Sequence, residues 1–239
     1  VIWVALGPEF TSPAFWLAVI QIIWINILLS GDNAVVIAMA CRDLPPRRRV
    51  WGMAIGAGVA TVLRIVFTGL IGSLMLLPYL KIAGGLALFY IAAKLLLPDE
   101  PDTTETEAVQ HLWRAVRTVV VADIVMSLDN VIAIAAASGG DWSLLVLGLA
   151  ISIPLIVAGA ALIMSLLDRF PILIWAGAGL LGWIAGEVVA TDPVAIGYLT
   201  QTYGASVAHA AEYACAAAGT VLVLVGGGLW RRSKQESEV

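Results

Sequence analysis

The chain has 239 residues, 61% hydrophobic and only 13% charged, with a mean hydropathy of +0.96 and a formal charge of −4. An ordinary soluble domain is about 25% charged, so a globule this oily could not cover itself with polar groups. A soluble domain is therefore excluded, no nucleic-acid partner is expected, and the lipid bilayer is the first partner of a polytopic membrane protein.

A spanning helix needs about 20 mostly apolar residues, and seven stretches qualify: roughly 14–41, 50–76, 79–97, 114–138, 142–167, 171–190 and 207–230. The chain opens without a basic n-region, so no cleavable signal peptide is expected. The first span, "IIWINILLSGDNAVVIAMA", carries Asn26, Ser30, Asp32 and Asn33 in mid-membrane. "RDLPPRRR" then leads to the second, which holds Arg64 and the small-xxx-small pair Gly52/Gly56. The third span ends at "LPDEPDTTETE", and residues 98–113 read as a solvated acidic linker. The fourth span, "VVVADIVMSLDNVIAIAAA", places Asp123, Ser127, Asp129 and Asn130 in oil.

"SGGD" and "DRFP" bound the fifth span, and the sixth ends near Glu187 after a second glycine pair, Gly182/Gly186. Both glycine pairs read as helix-packing sites. "ATDPVAIGYLTQTYG" is read as a turn before the seventh span, whose outer end carries His209 and Glu212. With Glu187 these form a possible outer vestibule. Cys41 and Cys215 make no metal-ligand spacing and read as small buried apolar residues.

Orientation follows from Lys and Arg. Arg42, Arg47, Arg48, Arg49, Lys94, Arg114, Arg117, Arg169, Arg231, Arg232 and Lys234 all flank alternate span ends. The positive-inside rule then sets the N-terminus outside and the C-terminus in the cytoplasm.

The two motifs repeat. Ser127, Asp129 and Asn130 fall on Ser30, Asp32 and Asn33 with an offset of 97, and Asp123 falls on Asn26. "YLKIAGGLALFYIAAK" likewise matches "ILIWAGAGLLGWIAGE". Three spans per unit is odd, so the second unit enters the membrane from the opposite side. The expected fold is thus an all-α membrane protein of seven transmembrane helices. It comprises two inverted three-helix repeats (14–97 and 114–190) plus a seventh helix (207–230), in one transmembrane domain over 1–239. In such folds the binding site lies near the midplane at the repeat interface.

A charge at mid-membrane costs at least ~2.5–3.5 kcal/mol, so these groups face the bundle interior. Asp123, Ser127 and Asn130 run i, i+4, i+7, as do Asn26, Ser30 and Asn33. If the two helices cross antiparallel, Asn26 lies level with Asn130 and Asn33 with Asp123. Carboxylates, carboxamides and hydroxyls then offer an all-oxygen shell suited to Mn²⁺, Mg²⁺ or Ca²⁺, with no Cys or His for softer metals. Gly31 would let the backbone open and lend a carbonyl. Arg64 is the possible gate or counter-ion. The bland alternative is that these groups only hold helices together by hydrogen bonds and an Arg64–Asp pair.

"NILLSGDNAVVIAMA" and "DIVMSLDNVIAIAAA" resemble the TerC family of integral membrane proteins along nearly the whole chain. The resemblance implies seven helices, kinship with the lysine-exporter superfamily, manganese export, and a bacterial plasma membrane setting. It puts the metal positions at Asp32, Asn33, Asp129 and Asn130, beside Asn26, Asp123, Ser30 and Ser127. The family name reflects tellurium resistance, which the residues do not explain. Asn26 opposite Asp123 breaks the charge symmetry of the halves.

The expectation is an exporter of a hard divalent cation, coupled to protons, with no prosthetic group and no catalytic residues. An intramembrane aspartyl protease is disfavoured, because each motif aspartate is followed by Asn and no G-x-G-D occurs. A seven-helix photoreceptor would need a lysine in 207–230, where there is none. A scaffold that loads metal into secreted proteins is the remaining alternative.

Overall fold

A computed structural model describes residues 13–74, 77–97, 105–138 and 141–237, and these contain helices and turns but no strand. In chain order the helices are α1 (Pro13–Leu29), α2 (Gly31–Cys41), α3 (Pro46–Leu74), α4 (Leu80–Lys94), α5 (Glu105–Ser138), α6 (Trp142–Arg169), α7 (Ile172–Ala190), α8 (Pro193–Tyr203) and α9 (Ala205–Ser237).

The fold turns the soluble pattern inside out. On α1, Trp16, Leu17, Ile20, Trp24 and Leu28 are exposed, while Asn26 on the opposite face is buried. On α3, Val59, Val62, Val66 and Leu70 face outward while Thr61 and Arg64 are buried. Lipid solvates the apolar side chains, so the polar ones go inside.

By length and composition α3, α6, α7 and α9 can each cross a membrane. Two further candidates are bent: α1 and α2 meet at 56°, and within α5 the segments Val109–Ser127 and Ile132–Ser138 meet at 64°. The chain is thus an all-helical membrane protein with four to six candidate spans. The remaining expected span, 79–97, is helical over Leu80–Lys94, 15 residues, or about 22 Å at 1.5 Å per residue.

Local chemistry sets the boundaries. Asp141 caps α6 by accepting from the N–H groups of Ser143 and Leu144. The stretch 191–204, expected to be a turn, instead forms α8. Asp192 accepts from Val194 N–H, Pro193 occupies the first turn, and Gly204 ends the helix at φ 88°. Asp followed by Pro is a helix start as readily as a turn, and the periodic stretch after it is long enough for three turns. The expected linker 98–113 is also helical from Glu105 onward, as part of α5; residues 98–104 lie outside the described residues.

α3 packs on α5 and α6, and so do α1 and α2. α4 and α9 pack on α7, α4 also meets α5, and α2 meets α7. The α7–α9 seam is close because of its glycines: a Cβ on Gly186 would stand 2.1 Å from the Cys215 carbonyl oxygen. Gly52 and Gly56 likewise face Leu44 and Val119, so both glycine pairs are packing sites. Cys41 is buried, but Cys215 is exposed. The expectation of burial fails there because α9 lies at the rim of the bundle, where an apolar thiol can face lipid.

The basic ends meet. Arg42 Nη2 donates to Leu97 O at 3.0 Å, tying the end of α2 to the end of α4. Arg49 pairs with Asp168 at 2.8 Å, tying α3 to the end of α6. The Arg231 guanidinium lies 6.0 Å from the Trp175 ring centroid, tying α9 to the start of α7. One end of the bundle is therefore rich in arginine.

Candidate ion site at the two helix breaks

Both S-x-D-N motifs sit where a helix bends. The first break falls at Ser30, whose φ/ψ of −118°/10° interrupts the α-helical path between α1 and α2. Gly31 lies just beyond it, and a Cβ there would meet nothing within 4 Å. The glycine thus adds freedom rather than relieving a clash.

Arg64 of α3 enters between the two broken helices and is 3% exposed. Its Nη2 donates to Asp123 Oδ1 at 2.8 Å and to Ser127 Oγ at 3.0 Å. Its Nε also reaches Ser127 Oγ, at 3.2 Å. Its Nη1 donates to Ser30 Oγ at 2.8 Å and to Asn26 Oδ1. Ser30 Oγ donates to Asn26 Oδ1 at 3.2 Å. Four of the eight expected site residues, two from each motif, are therefore gathered around one guanidinium. A planar fork with five N–H donors suits such a task where a point-like ammonium would not.

The asymmetry noted in the sequence falls on the two residues that flank Arg64. Position 26 carries a neutral carboxamide and position 123 a carboxylate, so a single Arg64 is balanced by a single direct partner.

Two further expected residues, Asn130 and Asp32, lie close to this hub. Asn130 Nδ2 donates to Leu29 O at 2.9 Å, a carbonyl next to the break in the first helix. The contact falls three residues beyond Asn26, the level expected for Asn130 from an ideal crossing. Asp32 is in the first turn of α2, where its Oδ1 accepts from Asn33 N–H at 2.8 Å and its charge complements the helix N-terminus. It also lies within electrostatic range of Arg64 and Asp123. The Asn33 side chain is buried with neither Oδ1 nor Nδ2 bonded among the described residues. Asp129 lies on α5, but its side chain falls outside the described part of the structure.

Asp123 Oδ2 and Asn26 Nδ2 are likewise buried without a hydrogen-bond partner. Each such orphan costs about 1–3 kcal/mol, and both Asp123 and Asn26 sit on the Arg64 guanidinium. Two are oxygens, Asn33 Oδ1 and Asp123 Oδ2, of the kind that ligate hard cations. Among the described residues no three His, Cys, Asp or Glu side chains already form a metal cage. The arrangement is a buried polar cluster from both motifs built around the Arg64 guanidinium.

At the far end, His209 Nδ1 is 3.5 Å from Glu212 Oε2, with His209 75% exposed. Glu187 is half-buried near the end of α7. Sequence reasoning missed Asp192, which is fully buried. Besides capping α8 it accepts from Ile82 N–H, in the first turn of α4, at 3.4 Å. The dipeptide Asp192-Pro193 was the available signal.

The family model described as "Integral membrane protein TerC family" matches residues 11–235. The chain is 44% identical over 178 residues to the uncharacterized membrane protein YjbE of Bacillus subtilis, covering 74% of this chain and 81% of that one. It is 28% identical over 179 residues to the uncharacterized membrane protein YceF of the same organism, covering 71% and 69%. It is 25% identical over 140 residues to the UPF0053 inner membrane protein YoaE of Escherichia coli K12, covering 51% and 27%. No solved structure matches the chain. The chain belongs to the TerC family of integral membrane proteins.

Proposed function

We propose that this TerC-family protein exports a divalent cation, Mn²⁺ foremost, from the cytoplasm through the site between its two broken helices. The observation that carries the reading is Arg64: a buried guanidinium bound to both motifs, beside polar atoms that have no partner among the described residues. Arg64 acts as the resident counter-ion. A metal ion entering from the cytoplasm competes for Asp123, Asn26 and the serine hydroxyls, and Arg64 withdraws as the ion takes over its charge balance. Asp32, Asn33, Asp129 and Asn130 complete the oxygen shell.

Moving a 2+ ion outward against an inside-negative potential costs roughly 4.6 kcal/mol per 100 mV. Coupling to inward proton movement supplies that energy, with the motif aspartates as the groups shared by protons and metal. The protein is a transporter, not an enzyme, and needs no prosthetic group.

Seven crossings in two inverted halves are part of the proposal, with α4 as the short third crossing and α9 as the seventh. The packing supports it. Exchanging α1/α2, α3 and α4 with α5, α6 and α7 carries the α3–α5 contact onto the α6 contact with α1/α2, and the α4–α5 contact onto α7–α2. The α4–α7, α3–α6 and α1/α2–α5 contacts map onto themselves. The arginine-rich end is cytoplasmic and the N-terminus is outside. Glu187, His209 and Glu212 form the rim of the outer exit.

Isotopic Mn²⁺ uptake into inverted membrane vesicles tests this, comparing wild type with Asp32→Asn, Asp129→Asn and Arg64→Gln. Folded but silent aspartate variants support the reading, and uptake sensitive to an imposed pH gradient supports the coupling. Transport unchanged by all three substitutions reduces the motifs to helix glue.

A further inference from the structure

We propose that the groove between α4 and α5 at the arginine-rich end is a binding site for an anionic phospholipid, with the lipid phosphate held by Lys94, Arg114 and Arg117. The groove encloses ≈ 290 Å³, and no acidic side chain lines it among the described residues. Lys94 comes from the last turn of α4, and Arg114 and Arg117 come from one face of α5 at i, i+3. A cation in the last turn offsets the helix dipole, which accounts for Lys94 alone but not for two arginines converging on it from the neighbouring helix.

The groove also changes polarity along its length. On α4 the lining runs from Lys94 back through Ile91 and Tyr90 to Ala87, and on the antiparallel α5 from Arg114 to Val121. Both walls go from cationic to apolar in the same direction over seven residues, or about 10 Å. That is the profile of a phosphate above acyl chains. Ile91 is buried at the floor while Tyr90 is 59% exposed at the wall, and Trp113 is exposed nearby on α5. Aromatic residues favour that depth in a bilayer.

A second observation lies beside it. A cavity of ≈ 30 Å³ shares Ile91, Lys94, Arg114 and Thr118 with the groove and continues to Arg42 and to Asp43, whose carboxylate pairs with Arg42 Nε at 3.1 Å. The Arg42 side chain is 10% exposed, and its Nη1 is a buried donor without an acceptor among the described residues. That volume suits a water rather than a phosphate, so an anionic headgroup in the groove would reach this donor through a bridging water.

Native mass spectrometry of the full purified chain, stripped of lipid and titrated with phosphatidylglycerol against phosphatidylcholine of the same chains, tests the assignment. Wild type is expected to retain phosphatidylglycerol at least tenfold more strongly. At about fivefold per cation, the Lys94→Gln/Arg117→Gln double variant should weaken that retention by about 25-fold, while Arg231→Gln/Arg232→Gln should leave it unchanged. Equal retention of both lipids by wild type overturns the proposal without any variant. So does displacement of the lipid by millimolar inorganic phosphate, which would make this a phosphate site, and so does equal loss in both double variants. Lipid binding that emerges only after the acidic residues of 99–107 are neutralised would assign the groove to that stretch instead.

Discussion

The side-chain amide of Asn130 closes the backbone next to Ser30: its Nδ2 donates to Leu29 O at 2.9 Å. A residue of the second motif thus holds a carbonyl beside the break in the first. In a lipid-facing protein a carbonyl next to a broken turn has no water to turn to, so each half depends on the other for its integrity.

That dependence makes Asn130→Asp informative. The ionised carboxylate has no proton to donate and would face the carbonyl oxygen of Leu29, so a loss of about 1–3 kcal/mol is expected. Thermal unfolding in detergent measures it. A midpoint equal to that of wild type would mean that the bond contributes nothing.

Arg64 and Asp123 form a buried ion pair at 2.8 Å with both side chains 4% exposed. Removing one partner strands a charge, so Arg64→Met and Asp123→Leu should each cost about 3–5 kcal/mol. The double variant should cost far less than their sum. A double-mutant cycle by denaturant titration reads the coupling, and additive losses would show that the pair is not energetically linked.

Two glycines should behave oppositely when made alanine. Gly31 has room for a Cβ and ordinary helical geometry, so Gly31→Ala should stabilise the protein by about 0.4–1 kcal/mol while slowing transport if the break must flex. Gly186 has a carbonyl oxygen 2.1 Å from the same added atom, so Gly186→Ala must push α9 away and should destabilise by about 1–3 kcal/mol. Paired melting curves decide it: similar shifts in the two variants would count against the close α7–α9 seam.

Asp192 serves two helix starts, accepting from Val194 N–H at 3.0 Å and Ile82 N–H at 3.4 Å. Asp192→Ala should cost about 1–2 kcal/mol through the lost cap alone, and Asp192→Asn should recover most of it, because the amide oxygen can still accept. Failure of the Asn variant to recover would point to the charge itself as the important feature.

The sequence by itself determined that the chain lives in lipid and that Asn26, Ser30, Asp123 and Ser127 face inward. Both follow from local facts: apolar length fixes the solvent, and a polar side chain in oil has only the bundle interior to turn to. The paired motifs and the helix-packing glycines were legible for the same reason. The helical nature of 193–203 was obscured because Asp-Pro marks turns and helix starts alike. What only the tertiary structure decided was which groups meet. Arg64 is 38 residues from Asn26 and 59 from Asp123 along the chain, and no periodicity relates positions on separate helices. Their meeting depends on how α3 packs between the two broken helices, and packing is a property of whole surfaces rather than of any short stretch of sequence.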